Sequence, residues 1–150
     1  MSACIPDYEY DLIRAIMIKR DQELLSILDK YGFDNLPHLI DAAEMGDIDF
    51  IENAEIVGYN IYRPDILLAA IDGHQYIFVE MLTMNGRTDV SDPSIAIALA
   101  ESGDIDLFEL VIKNNYLPLD DPRVMQTAEK YGGSGMVNWL RGQIRDMNEI

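Results

Sequence analysis

The residues of this chain whose types can do chemistry are two histidines, one cysteine and several closely spaced aspartates. Catalysis needs a nucleophile or base with a supporting group held beside it. His38, His74 and Cys4 form no such set, and a zinc site would need more converging donors than these three. His38 reads as an ordinary helix-start residue. A lone Cys4 allows no internal disulfide, which fits a reducing compartment. Asp47-Ile48-Asp49, Asp104-Ile105-Asp106 and Asp120-Asp121 raise calcium chemistry. A helix–loop–helix calcium site, however, spreads its oxygens over a loop of about twelve residues that ends in Glu. The same aspartates placed at the start of a helix interact favourably with its dipole. Gly132-Gly133-Ser134-Gly135 lacks the Lys-Ser or Lys-Thr and the preceding strand of a phosphate cradle. The expectation is a protein without catalytic residues, cofactor or metal, and not an enzyme.

Binding is the chemistry that remains, and charge shapes it. Among 150 residues, 27 are acidic and 11 basic, a formal net charge of −16. Such a surface repels a polyanion and attracts a basic partner from a distance, so direct nucleic-acid binding is disfavoured. Excess acid also serves solubility alone, and charge by itself does not choose between the two. No stretch approaches the roughly 18 apolar residues of a membrane span, and Met1 to Tyr10 lack a basic region followed by an apolar run. These features predict a soluble, cytoplasmic protein with no membrane association. With hydrophobic residues at 49%, there is enough apolar side chain for one folded domain over 1–150.

The elements that position these residues repeat along the chain. Ala-x-x-Gly recurs as Ala43 to Gly46, Ala70 to Gly73 and Ala100 to Gly103, with Ala128 to Gly132 one residue longer. The glycines are 27, 30 and 29 residues apart, a period in the range of helical solenoids. Each unit reads as helix, tight Gly turn, helix, with apolar residues at helical spacing in both halves. Gly32, Gly58, Gly86 and Asn115 stand where the second helix should stop in a left-handed cap. Asp92-Pro93 and Asp121-Pro122 place an N-cap before a proline at the first helical position. Alanines on the first helices, such as Ala43, Ala70 and Ala100, let neighbours approach closely. Phe50, Phe78, Val79 and Leu107 on the second helices fill the space between layers. A single layer is too thin to bury its apolar side, so stability must come from stacking.

Leu68-Ala69-Ala70-Ile71-Asp72-Gly73-His74, followed by Asn85-Gly86, resembles the middle of an ankyrin repeat, with Asp47 and Asp104 in the place of His74. The resemblance covers about 36–140. It implies an all-α helix-turn-helix repeat solenoid with short loops and about five units, roughly 8–35, 36–62, 63–91, 92–120 and 121–142, with 143–150 a fraying tail. The family's Thr-Pro-Leu-His opening is absent, and the period falls short of its usual ~33 residues. Tetratricopeptide or HEAT solenoids, with periods of ~34 to ~47 residues, fit less well, and a compact helical bundle is the other alternative. In the family the residue at His74 binds backbone in the loop of an adjacent unit. Repeats this divergent are similar to the ankyrin-like proteins of large DNA viruses and their bacterial or phage counterparts.

Stacking turns one repeat position into a row. Glu44, Glu101 and Glu129 are expected to align along the first helices, with Asp72 and Ser102 beside them. Asp65, Asp89, Asp92, Asp120 and Asp121 rim that row from the loops. Tyr59, Tyr62, Arg63, Arg87 and Tyr116 project from the connecting loops, and Tyr and Arg are frequent interface anchors. Trp139 reads as an apolar plug over the final layer. The functional expectation is a protein–protein interaction module, an acidic adaptor or inhibitor of a partner with a basic surface, such as a viral or phage factor that blocks a host defence protein. The alternatives are a self-assembling or complex-assembly subunit and a nucleic-acid mimic, and the oligomeric state is left open.

Overall fold

The computed structural model describes residues 19–23, 26, 36–56 and 58–148. Most of the expected first unit (8–35), including Gly32, lies outside the described residues, as does Cys4. The described chain is all helical, with no strand in any connecting loop. Helices α1 (Leu36–Met45) and α2 (Ile48–Ile56) pack together, as do α3 (Pro64–Asp72) with α4 (Tyr76–Thr83), and α5 (Pro93–Ser102) with α6 (Ile105–Ile112). The last group is α7 (Pro122–Thr127), a π-helical turn (Ala128–Gly132) and α8 (Gly133–Asn148). Between pairs, α1 packs on α3, α3 on α5, and α5 on α7 and the π-helical turn. On the other side α4 packs on α6.

Local chemistry sets where these helices begin. The Asp92 carboxylate accepts from the Ser94 N–H at 2.8 Å and that of Asp121 from the Arg123 N–H at 3.0 Å, each followed by proline at the first helical position. Proline fits there because its missing N–H would have had no partner. Asp47 and Asp104 cap the second helices through the Phe50 and Leu107 N–H groups, at 3.2 and 3.1 Å. The expected N-terminal aspartates are therefore helix caps. From α1 to α6 each helix has only eight to ten residues, too short to persist alone in water. Packing holds them, through fully buried Ile51, Leu67, Phe78, Leu99, Phe108 and others. Each such side chain contributes about 1.5–3 kcal/mol.

The turns correct the sequence register at the middle pair. Gly46, His74 and Gly103 have positive φ, at 76°, 52° and 69°, and their N–H groups donate to the carbonyls of Ala43, Ile71 and Ala100. Asp47 and Gln75 likewise donate to Ala42 and Ala70 at 2.8 and 3.0 Å. Ile71, not Ala70, thus occupies the slot of Ala43 and Ala100, and all three are fully buried. Gln75, not His74, matches Asp47 and Asp104. Counted through His74 the spacing evens out to 28 and 29 residues. Gly73 is not the left-handed cap; its φ is −83°. A Cβ at Gly73 would run into the carbonyl oxygen of Glu44, so glycine is there to let two helix ends meet.

Two further expectations change. Gly58 and Gly86 have positive φ, but Asn115 does not join them. Its side-chain amide donates instead to the Thr83 and Val111 carbonyls at 2.8 and 3.0 Å, tying neighbouring pairs together. The chain also stays helical to Asn148, with Ile144 and Met147 packed against the core, past the residue 142 expected to end the last unit. Trp139 lies over Phe108, ring centroids 4.8 Å apart, and its indole N–H donates to Glu109 at 3.1 Å. It therefore covers the last pair with its ring while its polar edge is satisfied.

Candidate functional site

The corrected register redraws the expected acidic row. Glu44, Asp72 and Glu101 stand at matching positions of three successive first helices, each two residues before the left-handed residue of its turn, while Glu129, expected in the same row, lies in the π-helical turn four residues before Gly133 and falls out of that register; all four are exposed. Asp72 lies in the row, not beside it. None of the four carboxylates forms a hydrogen bond or ion pair with another side chain among the described residues. Helices pack about 8–10 Å apart, so the row presents a carboxylate at roughly that interval. One turn earlier, Ile40, Leu68 and Ile97 form a half-buried aliphatic stripe on the same face.

Several expected binding residues bond to their own neighbours in the chain. The Ser102 hydroxyl donates to the Leu99 carbonyl at 2.6 Å and accepts from the Asp104 N–H at 3.1 Å, so it faces the turn and not the row. The Asp89 carboxylate accepts from the Ser91 hydroxyl and N–H, which hold its pKa below the usual range. Asp92 is lowered by its Ser94 cap bond. The Arg123 guanidinium forks onto Asp121 at 2.8 and 3.1 Å and, with the cap bond, pulls it down to about 2. Arg63 makes the equivalent fork onto Asp65 at 2.9 and 3.2 Å. These are exposed pairs, which contribute little to stability.

Among the loop aromatics, Tyr62 is half-buried under the Arg87 guanidinium, 4.9 Å from ring centroid to carbon, a cation–π contact between neighbouring loops. Tyr59 is half-buried against the core. Tyr116 is 75% exposed and edges an apolar cleft of about 150 Å³ between its loop and α8. Asp120 is exposed with no hydrogen bond or ion pair among the described residues. The loop set is therefore a braced Tyr62–Arg87 pair with Tyr116 further along, not one continuous row.

His74 departs from the expected backbone contact. Its Nδ1 lies 3.2 Å from the Asp104 carboxylate of the next pair, which also accepts from the Tyr76 hydroxyl. Burial alone would raise Asp104, but bonds from Tyr76, the Leu107 N–H and His74 outweigh it and hold the group low. The bond to Asp104 pushes Tyr76 up to about 12. The cluster clamps two pairs together. No group of three or more His, Cys, Asp or Glu side chains among the described residues is arranged to hold a metal.

Sequence reasoning missed a second set of exposed positions on the opposite helices. Glu52, Glu80 and Glu109 repeat in register on α2, α4 and α6. Between α4 and α6 a groove of about 270 Å³ is lined by Glu80, Asp106, Glu109, Leu110, Lys113 and Asn114. Counting each helix from its N-cap, five residues on in every case, would have found this row. No helix among the described residues is long and apolar enough to cross a membrane. No family model, curated protein or solved structure matches the chain.

Proposed function

We propose that this chain is an ankyrin-like helical-repeat scaffold that acts without catalysis, binding another protein through its first-helix face and loops as an adaptor or inhibitor. The observation that carries the reading is the row Glu44, Asp72 and Glu101: three exposed carboxylates at matching positions, none used by the fold among the described residues. The paired helices with near-even spacing support a repeat scaffold. A row of acids at even intervals on a chain of net charge −16 favours a partner with a basic surface, both for steering and for register. Tyr62 with Arg87, and Tyr116, lie in the loops that lead into these helices, at the ends away from the acids, and are anchors of the kind that dominate interfaces. Recruitment or occlusion of the partner is then the mechanism.

The test is affinity capture from the source cells with the wild type and with a Glu44→Lys, Asp72→Lys, Glu101→Lys variant, followed by mass spectrometry and direct titration of the captured partner. A partner held by the wild type and lost from the variant supports the reading. Equal capture by both removes the first-helix face as the docking surface.

A further inference from the structure

We infer that the outward face of the second helices is a separate docking surface, one that takes a cationic amphipathic segment of a partner protein along α4. This goes beyond the first-helix reading and stands on different residues. The outward stripe of α4 is Ile77, Glu80 and Met84, with Ile77 75% and Met84 61% exposed. At the position matching Met84 on the preceding pair, Ile56 is 69% exposed. Among the described residues these aliphatics stay exposed. At the position of Ile77, the neighbouring helices carry Asp49 and Asp106 in their first turns, where a carboxylate favours the helix dipole. Ile77 forgoes that interaction and leaves its side chain in water.

The surroundings determine what covers them. Glu80 lies between the two aliphatics, Glu52 and Glu109 hold the matching positions on either side, and Asp106 and Glu109 border the groove of about 270 Å³ floored by Leu110. Among the described residues, Lys113 is the one cation lining that groove. A segment that buries apolar side chains on Ile77 and Met84 must therefore set its own polar groups against carboxylates, which selects Lys or Arg. The long stem of either residue lies along Leu110 while its charge reaches Glu80 or Asp106. Ile77 and Met84 are seven residues apart, about 10 Å along the axis. A helical segment with apolar residues at i and i+7 spans the same distance. A second copy is the wrong occupant: two-fold pairing through this face would set Glu80 and Glu109 against their own images.

Trp139, the single tryptophan, donates to Glu109 at the edge of the groove and reports its occupation. The experiment titrates the whole protein with a synthetic Leu/Lys peptide of heptad-spaced leucines, and with a scrambled peptide of the same composition, reading Trp139 fluorescence. Ile77→Ser and Glu80→Lys, with helicity checked by circular dichroism, leave the reporter pair intact. Saturable binding is expected, weakened at least about fivefold by scrambling and by each substitution. The Glu44→Lys, Asp72→Lys, Glu101→Lys variant should bind within about twofold of wild type, since its surface is distinct. The inference is overturned by absence of saturable binding, by equal binding of the scrambled peptide, or by wild-type affinity in Ile77→Ser and Glu80→Lys. An equal loss in the first-helix variant would also overturn it, by reducing the effect to net charge. None of these outcomes bears on whether the first-helix row captures a partner.

Discussion

The Tyr76 hydroxyl donates to the Asp104 carboxylate, so the first residue of one second helix is bound to the N-cap of the next. One carboxylate thereby caps α6 and holds two helical pairs together. Asp104→Ala removes both functions and should cost about 1–2 kcal/mol, the range of a lost N-cap, in chemical denaturation.

The same bond makes a prediction at alkaline pH. Tyr76 has a folded pKa raised to about 12 from the ordinary tyrosine value of 10.0. Its contribution to stability is therefore complete below pH 10 and is lost as pH rises from there through about 12. In a tyrosinate absorbance titration of the folded protein, one of the eight tyrosines should ionise near pH 12. Tyr76→Phe should remove that late step and flatten the decline of the denaturant midpoint over the same window.

Gly73 and His74 should respond differently when one gains and the other loses a side chain. Gly73→Ala keeps an allowed φ of −83° but drives Cβ into the Glu44 carbonyl, so it should destabilise by about 1–3 kcal/mol. His74→Gly relieves a left-handed φ of 52° while losing the exposed contact to Asp104, and should stay within about 1 kcal/mol of wild type. Urea midpoints compared at constant slope test both. A larger loss for His74→Gly than for Gly73→Ala would contradict the assignment of close approach to Gly73.

At acid pH the Arg123 fork onto Asp121 sets the sign. Asp121 has a folded pKa of about 2 against the ordinary aspartate value of 3.8, so its stabilisation is present above 3.8 and is lost as pH falls through about 2. Asp121→Asn should therefore show a shallower fall in denaturant midpoint between those values than wild type.

Trp139 covers the last pair by lying on Phe108, which is fully buried. Trp139→Ala should cost about 2–3 kcal/mol and Trp139→Phe under about 1.5 kcal/mol, because the ring contact carries more than the bond to exposed Glu109. Thermal denaturation followed by circular dichroism distinguishes the two.

Much of this protein was legible in the sequence because the deciding forces are local. Asp92-Pro93 and Asp121-Pro122 mark helix starts wherever they occur, since a carboxylate two residues before an orphan N–H caps it without help from the rest of the chain. Helical periodicity identified paired elements, and Gly58 and Gly86 identified turns. The same local chemistry engages some of the expected site residues: Asp89, Asp92, Asp121 and Ser102 bond to their own sequence neighbours.

What tertiary structure alone decided was register and neighbourhood. Ala70 to Gly73 satisfies the Ala-x-x-Gly pattern, yet the left-handed residue is His74, because Gly73 is demanded by the carbonyl of Glu44 on another helix. That single displacement moves Asp72 into the row of Glu44 and Glu101, and the π-helical turn takes Glu129 out of it. No local signal distinguishes a glycine needed for its φ from one needed for close approach. The stacking of Arg87 on Tyr62, the clamp of Tyr76 and His74 on Asp104, and the groove between α4 and α6 likewise join residues of different pairs. The sequence by itself determined helices, their caps and an acidic surface; the packing of one pair on the next decided which of those acids stand in line, because that depends on distances between elements and not along them.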